Sequence, residues 1–195
     1  MHPEELKEAI QNIKTWKRSG ERAPHKPLLI LYALGCLIRG ESREMLYDDV
    51  KDDLKKLLMD FGPFRLSYSP NYPFVKLAND GIWTVSGSKT LDTKKDWSDR
   101  ELAKNQAAGG FTEEVFCLLY NNQELLREVA GSLLKYNFPD TIQEDILAQV
   151  SIDLEFTGKT VRSPLFRQRV LKAYEYRCAV CGFNVRLGDT LKGCL

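Results

Sequence analysis

The chain has 195 residues, 43% of them hydrophobic and 28% charged. Lys plus Arg number 28 and Asp plus Glu 27, a formal net charge of +1. That composition suits a folded domain; it excludes a disordered chain and a uniformly basic nucleic-acid binder, so any basic surface must be local.

The first expected element is an amphipathic helix over residues 3–19, where Leu6, Ile10, Ile13 and Trp16 recur at helical spacing and acids precede bases. Ser19-Gly20 closes it. Residues 22–27, Arg-Ala-Pro-His-Lys-Pro, read as a proline-stiffened loop, with Pro27 suited to the first turn of the next helix. Around that loop Lys14, Lys17, Arg18, Arg22 and Lys26 face only Glu21, a local excess of +4. Residues 28–38 are apolar nearly all round and predict a buried helix, too short and too interrupted to span a bilayer. A third helix is expected over 46–60, with Leu46, Val50, Leu54, Leu57 and Leu58 inward. Its outer face is acidic: residues 41–60 carry seven acids against four bases.

The period then changes. Residues 72–77 and 82–85 are short runs rich in aromatic and β-branched types, and Asn79-Asp80-Gly81 between them signals a hairpin turn. Three helices followed by a hairpin give the expected fold class: mainly α with a small β-hairpin, a winged-helix-like domain followed by a helical subdomain. A polar helix capped by Ser98 is expected over 98–107, broken by Gly109-Gly110. Helices over 112–120, 123–136 and 140–148 close the domain, Cys36 and Cys117 reading as inert core thiols and the three tryptophans as packing. The expected organisation is a domain over 1–150, a linker over 151–162 and a basic C-terminal region over 163–195.

Five cysteines at irregular spacing make no disulfide framework, and Met-His-Pro-Glu-Glu is no secretory leader, so a cytoplasmic location is expected. Cys178-Ala-Val-Cys181-Gly182 is half of a zinc knuckle: two thiolates across a tight turn reach one tetrahedral metal, but two more ligands are needed. Downstream there is only Cys194, and the two histidines are His2 and His25.

Residues 166–182, from Phe-Arg-Gln-Arg-Val to Cys181-Gly182, resemble the opening of an HNH endonuclease domain. The histidines and asparagine that follow the knuckle in that family do not occur before Leu195, so the resemblance implies no cleavage by this chain as it stands. Residues 20–31, Gly-Glu-Arg22-Ala-Pro24-His25-Lys26-Pro27-Leu-Leu-Ile-Leu, resemble the signature of the sulfur-binding domain of phosphorothioation-dependent, McrA-like restriction endonucleases. The likeness extends to Tyr72-Pro73-Phe74 and Phe138-Pro139, over about residues 1–150. It implies binding of double-stranded DNA in which sulfur replaces one non-bridging phosphate oxygen.

On that resemblance Arg22, His25 and Lys26 hold the phosphate, Tyr72 and Pro73 form an apolar cup for the sulfur, Arg100 adds a contact, and Lys104 or Asn105 reaches phosphates or base edges. Without the resemblance, His25 reads as a loop residue satisfying a carbonyl and Arg100 and Lys104 as solvated charges. DNA binding implies no cofactor and no membrane, zinc at Cys178 and Cys181 requires a completed site, and a homodimer is left open. The competing readings are a nuclease completed by a partner chain or further residues, and a winged-helix protein-interaction module.

Overall fold

A computed structural model describes residues 1–14, 17–18, 21–154, 186–187 and 190–191. It divides into two units, Met1–Leu154 and Glu155–Leu195. In the second, only the strands β6 (Arg186–Leu187) and β7 (Thr190–Leu191) are described, paired antiparallel.

The first unit is built around α2 (His25–Ile38), whose side chains from Lys26 to Leu31 are all buried. Its apolar character on every side has a simple cause: α3 (Tyr47–Phe61), α7 (Gln123–Asn137) and α8 (Asp140–Val150) all pack against it. α1 (Pro3–Gln11) lies against α7, burying Leu6 and Ile10. It starts where the Glu5 carboxylate accepts the His2 N–H at 2.8 Å.

α1 is shorter than its pattern predicts. It ends at Gln11, and the backbone continues into a two-residue hairpin, β1 (Lys17–Arg18) with β2 (Glu21–Arg22). Ile13 is still buried, because the chain runs on along the core after the helix stops, which preserved the apolar spacing. Likewise α2 begins two residues before Pro27, so His25 and Lys26 belong to its first turn and not to the preceding loop.

The hairpin expected over 72–85 does not form. Its first half is helical, α4 (Asn71–Lys76), continued by a 3₁₀ turn over Leu77–Asp80. Pro73 cannot donate to a β ladder but fits a helical first turn, and Phe74, Val75 and Leu77 are buried by that geometry. Gly81 does take the left-handed conformation of a turn, at φ +80°. The strand after it, β4 (Trp83–Ser86), pairs instead with the distant β5 (Ala108–Phe111). β5 also pairs with β3 (Glu44–Leu46), giving a three-stranded antiparallel sheet in the order β3-β5-β4.

Gly109 and Gly110, expected to end a helix, are therefore the centre of that sheet. A Cβ on Gly110 would lie 1.9 Å from the Arg43 carbonyl oxygen, and one on Gly109 would lie 2.9 Å from the Phe74 ring. Their bareness lets β5 pass under an edge-to-face series of rings, Tyr47–Phe74 at 5.0 Å, Phe74–Trp83 at 6.0 Å and Trp83–Phe111 at 5.7 Å.

Between β4 and β5 lies α5 (Asp99–Lys104), capped as expected by Ser98, whose Oγ accepts the Glu101 N–H. α6 (Glu113–Tyr120) follows, capped by Thr112. Residues 151–154 are not linker: Ile152 is buried and its N–H donates to the Leu147 carbonyl, closing α8 onto the first unit. Cys36 is buried, and burial pushes its thiol up to about 12, but Cys117 is exposed on α6 and is no core thiol.

Candidate nucleic-acid interface

His25 opens α2, and no side chain caps that helix end, where Pro24 stands at the capping position. Its imidazole is partly buried and its pKa is held below the usual histidine value, first by desolvation and then by the charge of Arg65. Arg65 lies in the connection between α3 and α4, and α4 packs against α2. Arg22 contributes backbone pairing to β2, opposite Lys17; its side chain lies outside the described residues.

Lys26 is not a free cation. Its ammonium makes a buried ion pair with Asp80 at 2.5 Å, the two side chains being 10% and 3% exposed. The other Asp80 oxygen accepts the Lys14 N–H at 3.1 Å. One carboxylate thus ties the chain leaving α1, the first turn of α2 and the end of the 3₁₀ turn together. Lys26 positions the surface that sequence reasoning asked it to supply.

Tyr72, on the first turn of α4, is half-exposed, and the Lys76 ammonium sits 6.0 Å from its ring centroid. Pro73 beside it is buried, so it backs the Tyr72 wall and does not present its own ring.

α4 is stitched to the segment that leads into α5. The Lys76 ammonium donates to the carbonyls of Lys94 (2.7 Å) and Lys95 (3.0 Å) and pairs with Asp96 at 2.9 Å. Asn71 donates to the Trp97 carbonyl, and Asn79 and Thr93 exchange bonds of 3.3 and 2.7 Å. These fix the run ending at Ser98 against the helix that carries Tyr72. Arg100 and Lys104, on α5, are exposed.

Asn105 caps the C-terminal end of α5 and is buried. Its side chain accepts the Lys89 N–H at 2.7 Å and donates to the Lys89 carbonyl at 3.1 Å, while its own carbonyl accepts the Ser88 N–H at 2.8 Å. Both ends of its side-chain amide and its backbone carbonyl clasp the 88–89 turn, while its N–H closes α5 on the Glu101 carbonyl, so its side chain is engaged in holding the turn that carries the exposed Lys89. Sequence reasoning did not single out Arg65, whose charge acts on His25, Lys76, which pins α4, or Lys89, which Asn105 holds. Only Lys89, in a polar, Lys-rich stretch, carried any signal.

No helix among the described residues is long and apolar enough to cross a membrane, and none of those residues form a group of three or more His, Cys, Asp or Glu able to hold a metal. Cys178 and Cys181 lie outside the described residues.

The described residues thus include an uncapped helix start at His25, and a half-exposed Tyr72 on a helix pinned to the segment that leads into α5. Residues 3–155 match the model of the ScoMcrA-like DNA sulfur-binding domain, and the chain belongs to that family. The fold agrees with solved structures of low identity. The sulfur-binding domain of SprMcrA complexed with phosphorothioated DNA is 22% identical, with a TM-score of 0.67 over 78% of this chain and 95% of that one. The corresponding ScoMcrA complex is 20% identical, with a TM-score of 0.63 over 74% and 97%. Against the phosphorothioation-dependent restriction endonuclease ScoMcrA the TM-score is 0.61 and identity 20%, and this chain covers 33% of that protein.

Proposed function

We propose that the first unit reads double-stranded DNA carrying a phosphorothioate, with His25, Arg22 and Arg100 holding the backbone and Tyr72, backed by Pro73, facing the sulfur. The observation that carries this is the pairing of family membership over residues 3–155 with an exposed Tyr72 held on a fixed platform. Lys26 and Asn105 are positioning residues in this account; Lys104 and Lys89 lie where a flanking phosphate can reach them.

The order of the elements supports the reading. α2, β3, α3 and α4 followed by β4 and β5, with β5 central, follow the order of a winged helix in which residues 87–107 stand where the wing would be. α4 then occupies the place of a recognition helix.

Magnitudes divide the labour. Burying about 30 Å² of sulfur at ~25 cal/mol/Å² yields only ~0.8 kcal/mol, roughly fourfold. A phosphate oxygen pressed against the same apolar wall loses water at a cost of ~1–3 kcal/mol, which adds the rest of the preference. The cations act on both kinds of DNA alike. Replacing Tyr72 by Ala is therefore expected to lower the affinity ratio of modified to unmodified duplex toward one. Equal weakening of both duplexes would place Tyr72 outside the sulfur site.

In this reading the chain recognises DNA in the cytoplasm and needs no cofactor to do so. In the same reading residues 163–195 are an HNH-like opening, in which Cys178 and Cys181 hold zinc only where two further ligands complete the site.

A further inference from the structure

The connection between α3 and α4 is built in an unusual way. Phe64 is 72% exposed, Leu66 is fully exposed, and Arg65 stands exposed between them. The bend is nevertheless held in shape: the Tyr68 hydroxyl accepts the Arg65 N–H at 3.2 Å and donates to the Pro63 carbonyl at 3.5 Å, while the Tyr68 ring packs on the core. Two large apolar side chains exposed on either side of an arginine, on a loop held in shape, give a surface suited to contact.

We propose that this loop is a second DNA-contacting element, in which Arg65 takes a phosphate flanking the one at His25 and Leu66, with Phe64, docks on sugar and base edges of the adjoining groove. The inference rests on the DNA reading of the first unit. The loop leads directly into α4, which carries Tyr72 and packs against α2, the helix that His25 opens. A phosphate bound there would be stabilised by the Arg65 charge and would in turn favour protonation of His25. A duplex held at His25 also extends past it, with one phosphate per ~1.7 Å of axis, which supplies further phosphates within reach of the elements along its path. Apolar residues beside a groove-facing arginine are a recurring means of seating on sugars and bases. The loop would thus set affinity and flanking preference without touching the sulfur.

The test uses the full chain, matched modified and unmodified duplexes, and a salt series. Arg65→Gln is expected to weaken binding to both duplexes about tenfold and to reduce the slope of log K against log[salt] by about 0.9. Leu66→Ser is expected to weaken both about fivefold with the slope unchanged. Both variants should keep the modified-to-unmodified ratio and the wild-type unfolding midpoint. Wild-type affinity and slope in both variants would overturn the proposal. Loss of the ratio in either would also overturn it, by putting the loop at the sulfur. Should the wild type bind DNA without preferring sulfur, the sulfur reading fails while the loop is still judged by the Arg65 slope; no DNA binding at all sinks both.

Discussion

His25 is the residue whose protonation the site controls. Desolvation and Arg65 hold its pKa below the ordinary value of about 6.5, so the free domain carries a neutral imidazole near neutral pH. Between the two pKa values the unfolded chain binds more protons than the folded one, so this residue costs stability as pH falls through that window. A bound phosphate reverses the balance by favouring imidazolium, and binding takes up a proton. Affinity for DNA should therefore rise as pH falls from 7.5 to 5.5, and His25→Gln should flatten that rise. An unchanged pH profile in the variant would remove His25 from the phosphate site. At the buried Lys26–Asp80 pair, Asp80→Asn leaves an ammonium without its counter-charge. The expected loss is ~3–5 kcal/mol in a urea titration, and a loss under ~1 kcal/mol would show that the pair does not tie α1, α2 and the 3₁₀ turn together.

Among the elements, the sheet is the part that sequence reasoning read least well. Glycines usually end helices, and Gly109-Gly110 follow a helical run, so local propensity pointed away from a strand. What decides otherwise is tertiary: β5 needs bare Cα positions under Phe74 and against Arg43. The same holds for 72–77, where aromatic and β-branched residues suggested a strand and the proline, read as a cup, was the better guide to a helix. Helices with complete local signals were legible: α5 with its Ser98 cap, α6, and α3 with its acidic outer face. The candidate site was legible only in part. His25 and Tyr72 stood out by their motif neighbours, whereas the burial of Lys26 and Asn105 depends on partners 54 and 16 residues away. Gly110→Ala tests the sheet. The clash with the Arg43 carbonyl is expected to cost ~1–3 kcal/mol, lowering the thermal midpoint and loosening the β3–β5 edge in hydrogen exchange. A variant as stable as the parent would mean that β5 does not approach β3 so closely.

At the scale of the whole molecule, the near-neutral chain carries its charge unevenly: α3 has five acids against three lysines, while Arg65, Lys89, Arg100 and Lys104 lie on the connections and the helix that follow it. α2 provides the buried axis against which those parts are fixed, and the Lys26–Asp80 and Lys76–Asp96 pairs lock them. The central claim is that this platform distinguishes sulfur from oxygen on a duplex backbone. The most direct measurement compares binding to three duplexes of one sequence: unmodified, and carrying a single phosphorothioate of either stereochemistry, each at two salt concentrations. The account predicts tighter binding to one stereoisomer than to the other two duplexes, by about tenfold or more, with the ratio little changed by salt while all affinities fall. Equal binding to all three, in every flanking sequence tried, would contradict it.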